Sequence, residues 1–239
     1  MHQLSTLAGA ILEPMLRTDP VGPRITYYDD ATGERIELSA ATLANWAAKT
    51  GNLLRDELGA GPGSRVAILL PAHWQTAAVL FGVWWIGAEA VLDRGPADLA
   101  LCTAERLDEA DAAAPGGEVA VLSLDPFGRP ASDLPFGVTD YATAVRVHGD
   151  QIVAEPHPGP ALNGRSVGEV LADCERSAAA RGLTSADRVL SSAAWTGPDD
   201  LVDGLLAILA VGASLVQVAH PDPALLQRRI EAEKVTRVL

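Results

Sequence analysis

Few reactive side chains in this sequence stand where chemistry could use them. Gly59-Ala-Gly-Pro-Gly63 has the composition of a nucleotide-binding loop. It precedes an apolar strand instead of following one, so it reads as a helix-to-strand turn. His73 lies just past Pro71, at the carboxyl end of the run Val66–Leu70. Open α/β sheets bind ligands at such an edge, and a structural histidine is the competing reading. Trp195-Thr196-Gly197 follows Val189–Ala193 at a second such edge, where Trp195 either lines a pocket or packs in the core. His157, in Glu155-Pro-His-Pro-Gly-Pro160, is either a ligand contact or part of a rigid linker. The five histidines show no metal spacing. There is no Walker loop and no Gly-x-Ser-x-Gly elbow, and Ser191-Ser192 reads as strand filling. These residues nominate a ligand cleft at His73, Trp195, Thr196 and Gly197, with no catalytic and no metal-binding residue.

Bulk composition narrows the partners. The chain has 239 residues, 48% hydrophobic and 21% charged, with net charge −13. That charge repels nucleic acid and anionic membranes, so neither is an expected partner. Cys102 and Cys174 are too few for a disulfide framework, and residues 1–15 lack a basic segment and carry Glu13-Pro14, unlike a signal peptide. The apolar stretches Thr76–Ala88 and Leu205–Ala213 fall short of the roughly 18 residues of a spanning helix. A cytoplasmic protein with reduced thiols is expected.

The elements that would position the cleft come as a repeated unit. The first copy has a helix from Ser39 to Leu58, the strand Arg65–Leu70, a helix from Trp74 to Ile86, Gly87-Ala88, and the strand Ala90–Leu92. The second has a helix from Ser166 to Arg181, the strand Arg188–Leu190, a helix from Asp199 to Val211, Gly212-Ala213, and the strand Ser214–Val218. Strand, helix, Gly-Ala, strand builds a parallel sheet. The expected fold is therefore α/β, with two related halves and largely parallel sheets. The halves are expected at 1–155 and 166–239, joined by a Pro/Gly-rich junction at 156–165, or fused as one compact domain. Arg24–Tyr28 and Arg35–Leu38 read as a hairpin, Thr103–Ala114 as a helix and Glu118–Leu124 as a strand. Tyr141–Val147 and Gln151–Ala154 are expected to pair across His148-Gly149-Asp150. Asp222-Pro223 should open a helix to about Glu233, before a last strand Val235–Leu239.

In order and spacing these landmarks resemble the large N-terminal domain of the adenylate-forming enzymes: acyl-CoA synthetases, luciferases and peptide-synthetase adenylation domains. The matching residues include Ile25-Thr-Tyr27, Gly63-Ser-Arg-Val-Ala-Ile-Leu-Leu-Pro71, Val79–Ala88, Gly182–Leu190, Gly204–Ala213 and Ile230–Thr236. The resemblance implies a phosphate-gripping loop rich in Ser, Thr and Gly, carrying a Lys, just before the Ser166 helix. Here the segment reads His157-Pro-Gly-Pro-Ala-Leu-Asn-Gly-Arg-Ser166. Gly159, Asn163 and Gly164 stand in it, Arg165 near the Lys position, and the run of hydroxyl donors before Ser166 is gone. Pro158 and Pro160 offer no backbone N–H. Neither Lys49 nor Lys234 stands at a catalytic position of the resemblance.

The reading is a degenerate relative of AMP-binding enzymes, a pseudoenzyme acting as a ligand-binding or scaffold protein. An acyl- or aryl-acid adenylating enzyme completed by a partner chain is the alternative. A pure interaction module displaying Trp84, Trp85 and the last strand is another. ATP, AMP or CoA is the ligand class the resemblance implies; no cofactor is read from the residues themselves. A homo-oligomer or a protein partner is expected to cover the edge at Val235–Leu239.

Overall fold

In the computed structural model, residues 5–92 and 95–239 are described. Contacts divide the chain into two units that interleave along the sequence. One comprises residues 1–9, 44–70 and 75–167; the other comprises 10–43, 71–74 and 168–239. The expected junction at 156–165 therefore lies inside the first unit and is not the place where contacts divide.

The chain opens with α1 (Leu7–Thr18), β1 (Pro23–Asp29), β2 (Glu34–Ser39), α2 (Ala40–Asp56), β3 (Arg65–Leu69), α3 (Trp74–Trp85), β4 (Glu89–Val91) and β5 (Leu99–Cys102). It continues with α4 (Leu107–Ala113), β6 (Glu118–Val121), β7 (Thr139–Asp140), α5 (Tyr141–Ala144) and α6 (Val167–Arg181). Then come β8 (Arg188–Ser191), α7 (Pro198–Leu201), a π-helical turn at Val202–Leu206, α8 (Ala207–Ala210), β9 (Ser214–Ala219), α9 (Pro223–Ala232) and β10 (Arg237–Val238). The first unit holds a parallel sheet ordered β4-β3-β5-β6-β7. The second holds β10-β8-β9-β1-β2, parallel except where β2 folds back on β1.

The duplication extends to individual hydrogen bonds. Ala88 N donates to Val83 O and Ala213 N to Ile208 O. Glu89 N donates to Ser64 O and Ser214 N to Asp187 O. Asp98 N donates to Arg65 O and Thr236 N to Arg188 O, so β4-β3-β5 and β9-β8-β10 are the same arrangement twice. Arg65 and Arg188 are 123 residues apart, while Gly87 and Gly212 are 125 apart. α3 has 12 residues and its counterpart, Pro198–Ala210, has 13. The π turn takes up that extra residue without breaking the helix, and the other extra residue falls in the loop before it.

Every residue from His73 to Leu92 is buried, which explains the lack of a polar face on α3. Trp84 and Trp85 are thus buried, and Trp84 Nε1 donates to Ala161 O at 2.7 Å. They are not displayed for a partner, contrary to the interaction-module expectation. α2 approaches α3 at Gly51 and Gly82, where a Cβ on Gly82 would lie 2.9 Å from Ala47 O and 3.0 Å from Gly51 N. On one face of the first sheet, Ala67, Leu69, Cys102 and Val121 form a cluster with Ala110 and Ala114 at α4.

In the second unit one face of the sheet, where Ile230 and Val235 pack on Leu190, Val216 and Val218, also carries a charge network. Glu233, just past α9, is bound by Tyr28 Oη at 2.5 Å, by Arg35, and by Arg188, which also donates to Thr26. Arg229 pairs with Asp30 and lies 4.2 Å from the Tyr28 ring centre. No residue of α9 itself is buried.

Two elements, α1 and β5, go beyond the sequence reading, and one expectation fails. α1 carries Pro14 in its interior, and the stripe Leu7, Ala8, Ile11, Leu12 and Met15 is buried, so packing overrides the breaker. β5 lies in a stretch to which no strand was assigned. The hairpin expected across His148-Gly149-Asp150 does not form. Asp140 caps α5 through Thr143 N, and Tyr141 Oη meets Thr50 Oγ1 at 2.7 Å. Segment 148–151 is held by α2: Lys49 Nζ donates to His148 O, and Asn52 Nδ2 to Gly149 O and Gln151 O.

Val66→Asp puts an unpaired charge in the centre of the first sheet and should cost about 3–5 kcal/mol in denaturant unfolding. Gly82→Ala gains up to about 1 kcal/mol in helix propensity. It should nonetheless destabilise by roughly 1–3 kcal/mol, because the new methyl meets backbone that cannot yield.

Candidate functional site

In the second unit, β1, β9 and β8 run parallel and end on the same side. Near those ends Tyr27 pairs with Gln217 and Gln217 with Ser191, so the three side chains share a face. The His73 ring meets the Tyr27 ring edge-on at 4.4 Å between centroids. Its Nε2 lies 3.9 Å from Glu34 Oε1, which also accepts from Trp74 Nε1 at 3.3 Å. Gln217 Nε2 donates to Ala193 O, two residues before Trp195. The Trp195 indole is 3% exposed and packs on the π turn, where a Cβ on Gly204 would stand 3.0 Å from Nε1. Two buried polar atoms here have no hydrogen-bond partner: the donor Trp195 Nε1 and the acceptor Gln217 Oε1. A buried unpaired polar group costs roughly 1–3 kcal/mol, which a ligand group pairing with it would recover.

The site carries no cation at this edge among the residues that form it. Burial pushes the His73 pKa down to about 3, with the Asp29 charge opposing the shift only in part, so the imidazole is neutral at physiological pH. Thr196 Oγ1 is engaged with Asp200, and Gly197 is the N-cap of α7. What remains is a neutral imidazole, an indole donor and an amide acceptor.

The segment 157–166, expected from the resemblance to stand where a phosphate loop would, lies in the first unit and is arranged differently from a phosphate cradle. A cradle aims free backbone N–H groups at an anion. Here His157 N donates to Glu155 Oε1, Gly159 N to Gly87 O and Asn163 N to Ala90 O. Ala161 N and Leu162 N donate to Arg165 O, and Arg165 N returns to Leu162 O. Gly164 N donates to the Glu89 carboxylate at 2.6 Å, and Pro158 and Pro160 have no N–H. All the N–H groups of 157–165 are thus spent within the fold, and the two that leave the backbone face the carboxylates of Glu155 and Glu89. Asn163 Oδ1 accepts from Leu92 N, and Leu162 bridges to Ala90, so the segment runs along β4 as an edge cover.

Of the nominated residues, His73 and Trp195 stand on adjoining parts of one sheet end, linked through Tyr27 and Gln217. His157, Gly159, Asn163, Gly164, Arg165 and Ser166 lie in the other unit. Tyr27, Gln217 and Glu89 were not singled out by sequence. Gln217, a lone amide inside Leu215-Val-Gln-Val218, and Glu89, a lone acid between buried apolar runs, were the available signals. The two thiols are buried, with pKa values pushed up by burial to about 11 for Cys102 and about 12 for Cys174. Among the described residues no group of three His, Cys, Asp or Glu has metal-binding geometry, and no helix is long and apolar enough to cross a membrane.

The two linked α/β units have the fold of the N-terminal part of adenylate-forming enzymes. A Brucella canis acyl-CoA synthetase structure superposes with a TM-score of 0.79 at 20% identity, over 98% of this chain and 46% of that one. The anthranilate CoA ligase AuaEII, solved with anthranoyl-AMP, gives 0.76 at 17% identity, over 100% of this chain and 50% of that one. The chain therefore spans about half the length of those enzymes, and the likeness is one of fold. No family model matches the chain. A Mycobacterium tuberculosis (strain ATCC 25618 / H37Rv) protein named "TIGR03089 family protein" is 82% identical over 239 residues, covering 98% of each chain. The chain belongs to the TIGR03089 family.

The His73 environment predicts an acid-sensitive term. Its folded pKa is depressed, so as pH falls below 6.5 the unfolded chain binds a proton that the native state refuses. The stabilisation is complete above that pH and is lost toward pH 3, by at most about 4–5 kcal/mol. His73→Asn should flatten the slope of unfolding free energy against pH in this window, as urea titrations would read.

Proposed function

We propose that the protein is a non-catalytic member of the adenylate-forming fold, binding a small acyl or aryl compound at the carboxyl end of the second unit's parallel sheet. The observation that carries the non-catalytic reading is the spent backbone of 157–165. Adenylation needs several donors and a cation converging on a triphosphate. Here those donors are bonded within the segment itself, to Gly87 and to β4, and Glu89 stands among them. The ligand reading rests on the unpaired Trp195 Nε1 and Gln217 Oε1, with neutral His73 packed on Tyr27, whose strand neighbour is Gln217. That pair favours an amide, ester or thioester head over a phosphate.

The enzyme reading, completed by a partner chain, is supported only by the chain's spanning about half of the fold relatives. It predicts ATP–pyrophosphate exchange; the present reading predicts none above blank with any carboxylic acid. Native-state ligands raise melting temperature. In a thermal-shift screen, aryl amides or acyl thioesters should raise it and ATP should not. Trp195→Phe and Gln217→Leu should each remove the shift while the unliganded protein stays folded. Exchange activity, or a shift with ATP alone, overturns the proposal.

A further inference from the structure

The chain has three asparagines, and only Asn163 precedes a glycine. Asparagine followed by glycine is chemically labile. The glycine nitrogen, unhindered by a Cβ, attacks the side-chain Cγ and closes a five-membered succinimide. Asn45 and Asn52 precede Trp46 and Leu53 inside α2, where the next nitrogen is held in the helical hydrogen-bond ladder.

Asn163 and Gly164 are the central residues of a tight turn, at φ 46° and 80°. Arg165 N closes it on Leu162 O at 2.9 Å. Two left-handed central residues define a type I′ turn, for which Asn-Gly is a preferred pair. As the mirror image of type I, this turn sets ψ at about +30° at its first central residue. At that ψ the next nitrogen stands nearly anti to Cβ, so Gly164 N is turned away from the Cγ it would have to attack. Ring closure needs the two nearly eclipsed.

Contacts with β4 hold the turn in this unreactive form. Ala90 N donates to Ala161 O, and Asn163 N donates to Ala90 O. Leu92 N donates to Asn163 Oδ1 at 3.2 Å, and Leu162 is fully buried. Gly164 N, the would-be nucleophile, donates to Glu89 Oε1 at 2.6 Å. Attack requires that nitrogen to lose its proton, and a negative charge growing beside a carboxylate is disfavoured. Gly164 is itself exposed, so water and hydroxide reach the turn. The barrier is therefore the seating on β4 and not the exclusion of solvent.

We propose that Asn163-Gly164 is a deamidation site gated by the edge cover: shut while the turn is seated on β4, and reactive when 161–165 lifts from it. In the lifted state hydroxide takes the Gly164 N–H proton. The bond from Gly164 N to Asn163 Cγ forms, the Cγ–Nδ2 bond breaks, and Nδ2 leaves as ammonia with a proton from water. Water then opens the succinimide at either carbonyl. The sum is Asn163 plus water giving aspartate or isoaspartate plus ammonia. Isoaspartate lengthens the main chain by one carbon, so the two-residue turn no longer closes on Leu162 O in register and the cover does not reseat. β4 is then left with an open edge, which pairs readily with other chains. The modification is a one-way record of how often the cover has opened.

Incubating the full chain at mildly alkaline pH, then reading each asparagine by peptide mass spectrometry and isoaspartate by its specific methylation, tests this. The native wild type should deamidate at Asn163 alone, at least about tenfold more slowly than the same chain unfolded in urea. Leu162→Ala weakens the seating, and Glu89→Gln removes the charge while keeping an acceptor. Each should speed the native reaction several-fold. In urea well below the unfolding midpoint the native rate should stay nearly constant, because lifting one short segment exposes little surface. Isoaspartate-enriched protein should exchange Ala90 N faster than Asn163→Asp, which keeps the main-chain length. A native rate equal to the unfolded rate overturns the gating, as does a rate that follows the global unfolding curve. Rates unchanged in both variants overturn the assignment to Leu162 and Glu89. An Asn163 that stays intact even in urea overturns the site itself.

Discussion

An edge strand that is buried has to find hydrogen-bond partners somewhere, because no water reaches its free side. β4 is such a strand: all three of its residues are buried, and it lies at the end of its sheet. The segment 155–165 meets that requirement. Glu155 N, Gly159 N and Asn163 N close Trp85, Gly87 and Ala90 carbonyls, and Asn163 Oδ1 takes Leu92 N. Once those groups are engaged they cannot also coordinate an anion. The role of 155–165 as an edge cover thus follows from where the donors are needed, with the Glu89 carboxylate taking Gly164 N.

The second copy of the unit meets the same geometric problem differently. Its corresponding strand β9 is not an edge, since β1 pairs with it in parallel register. That pairing places Tyr27 beside Gln217 and carries His73 into the neighbourhood. The π turn then gives Trp195 room over Gly204. One topology used twice therefore yields a sealed edge in one unit and a sheet end with unpaired polar atoms in the other.

Sequence periodicity was sufficient for the duplicated strands and helices, because continuous apolar runs such as Val66–Leu70 and the Gly-Ala turns carry both length and direction. It was insufficient where a tertiary contact decided the outcome. Pro14 reads as a breaker until the buried stripe on α1 is counted. Tyr141–Val147 reads as a strand until Asp140 is seen to cap it and Thr50 to hold the Tyr141 hydroxyl. At the candidate site, His73 and Trp195 were legible as residues following strand ends. Gln217 and Tyr27 were not, because a strand's facing neighbour depends on sheet order, which pairing register fixes and sequence spacing does not. Glu89 was hidden for the same reason: its role depends on a loop about 75 residues away meeting it.

The attachment of α9 bears on how the molecule opens. Its contact with the sheet runs through Glu233, Arg229, Tyr28 and Arg35, with Ile230 and Val235 the main apolar contacts. Ionic contacts weaken with added salt, whereas apolar burial does not. The C-terminal helix, none of whose residues is buried, is therefore the element expected to open first, taking the edge strand β10 with it and leaving β8-β9-β1-β2 paired. Its amides should exchange with solvent at a lower free energy than those of β3 or β9. One end of the protein can then breathe independently of its paired inner strands.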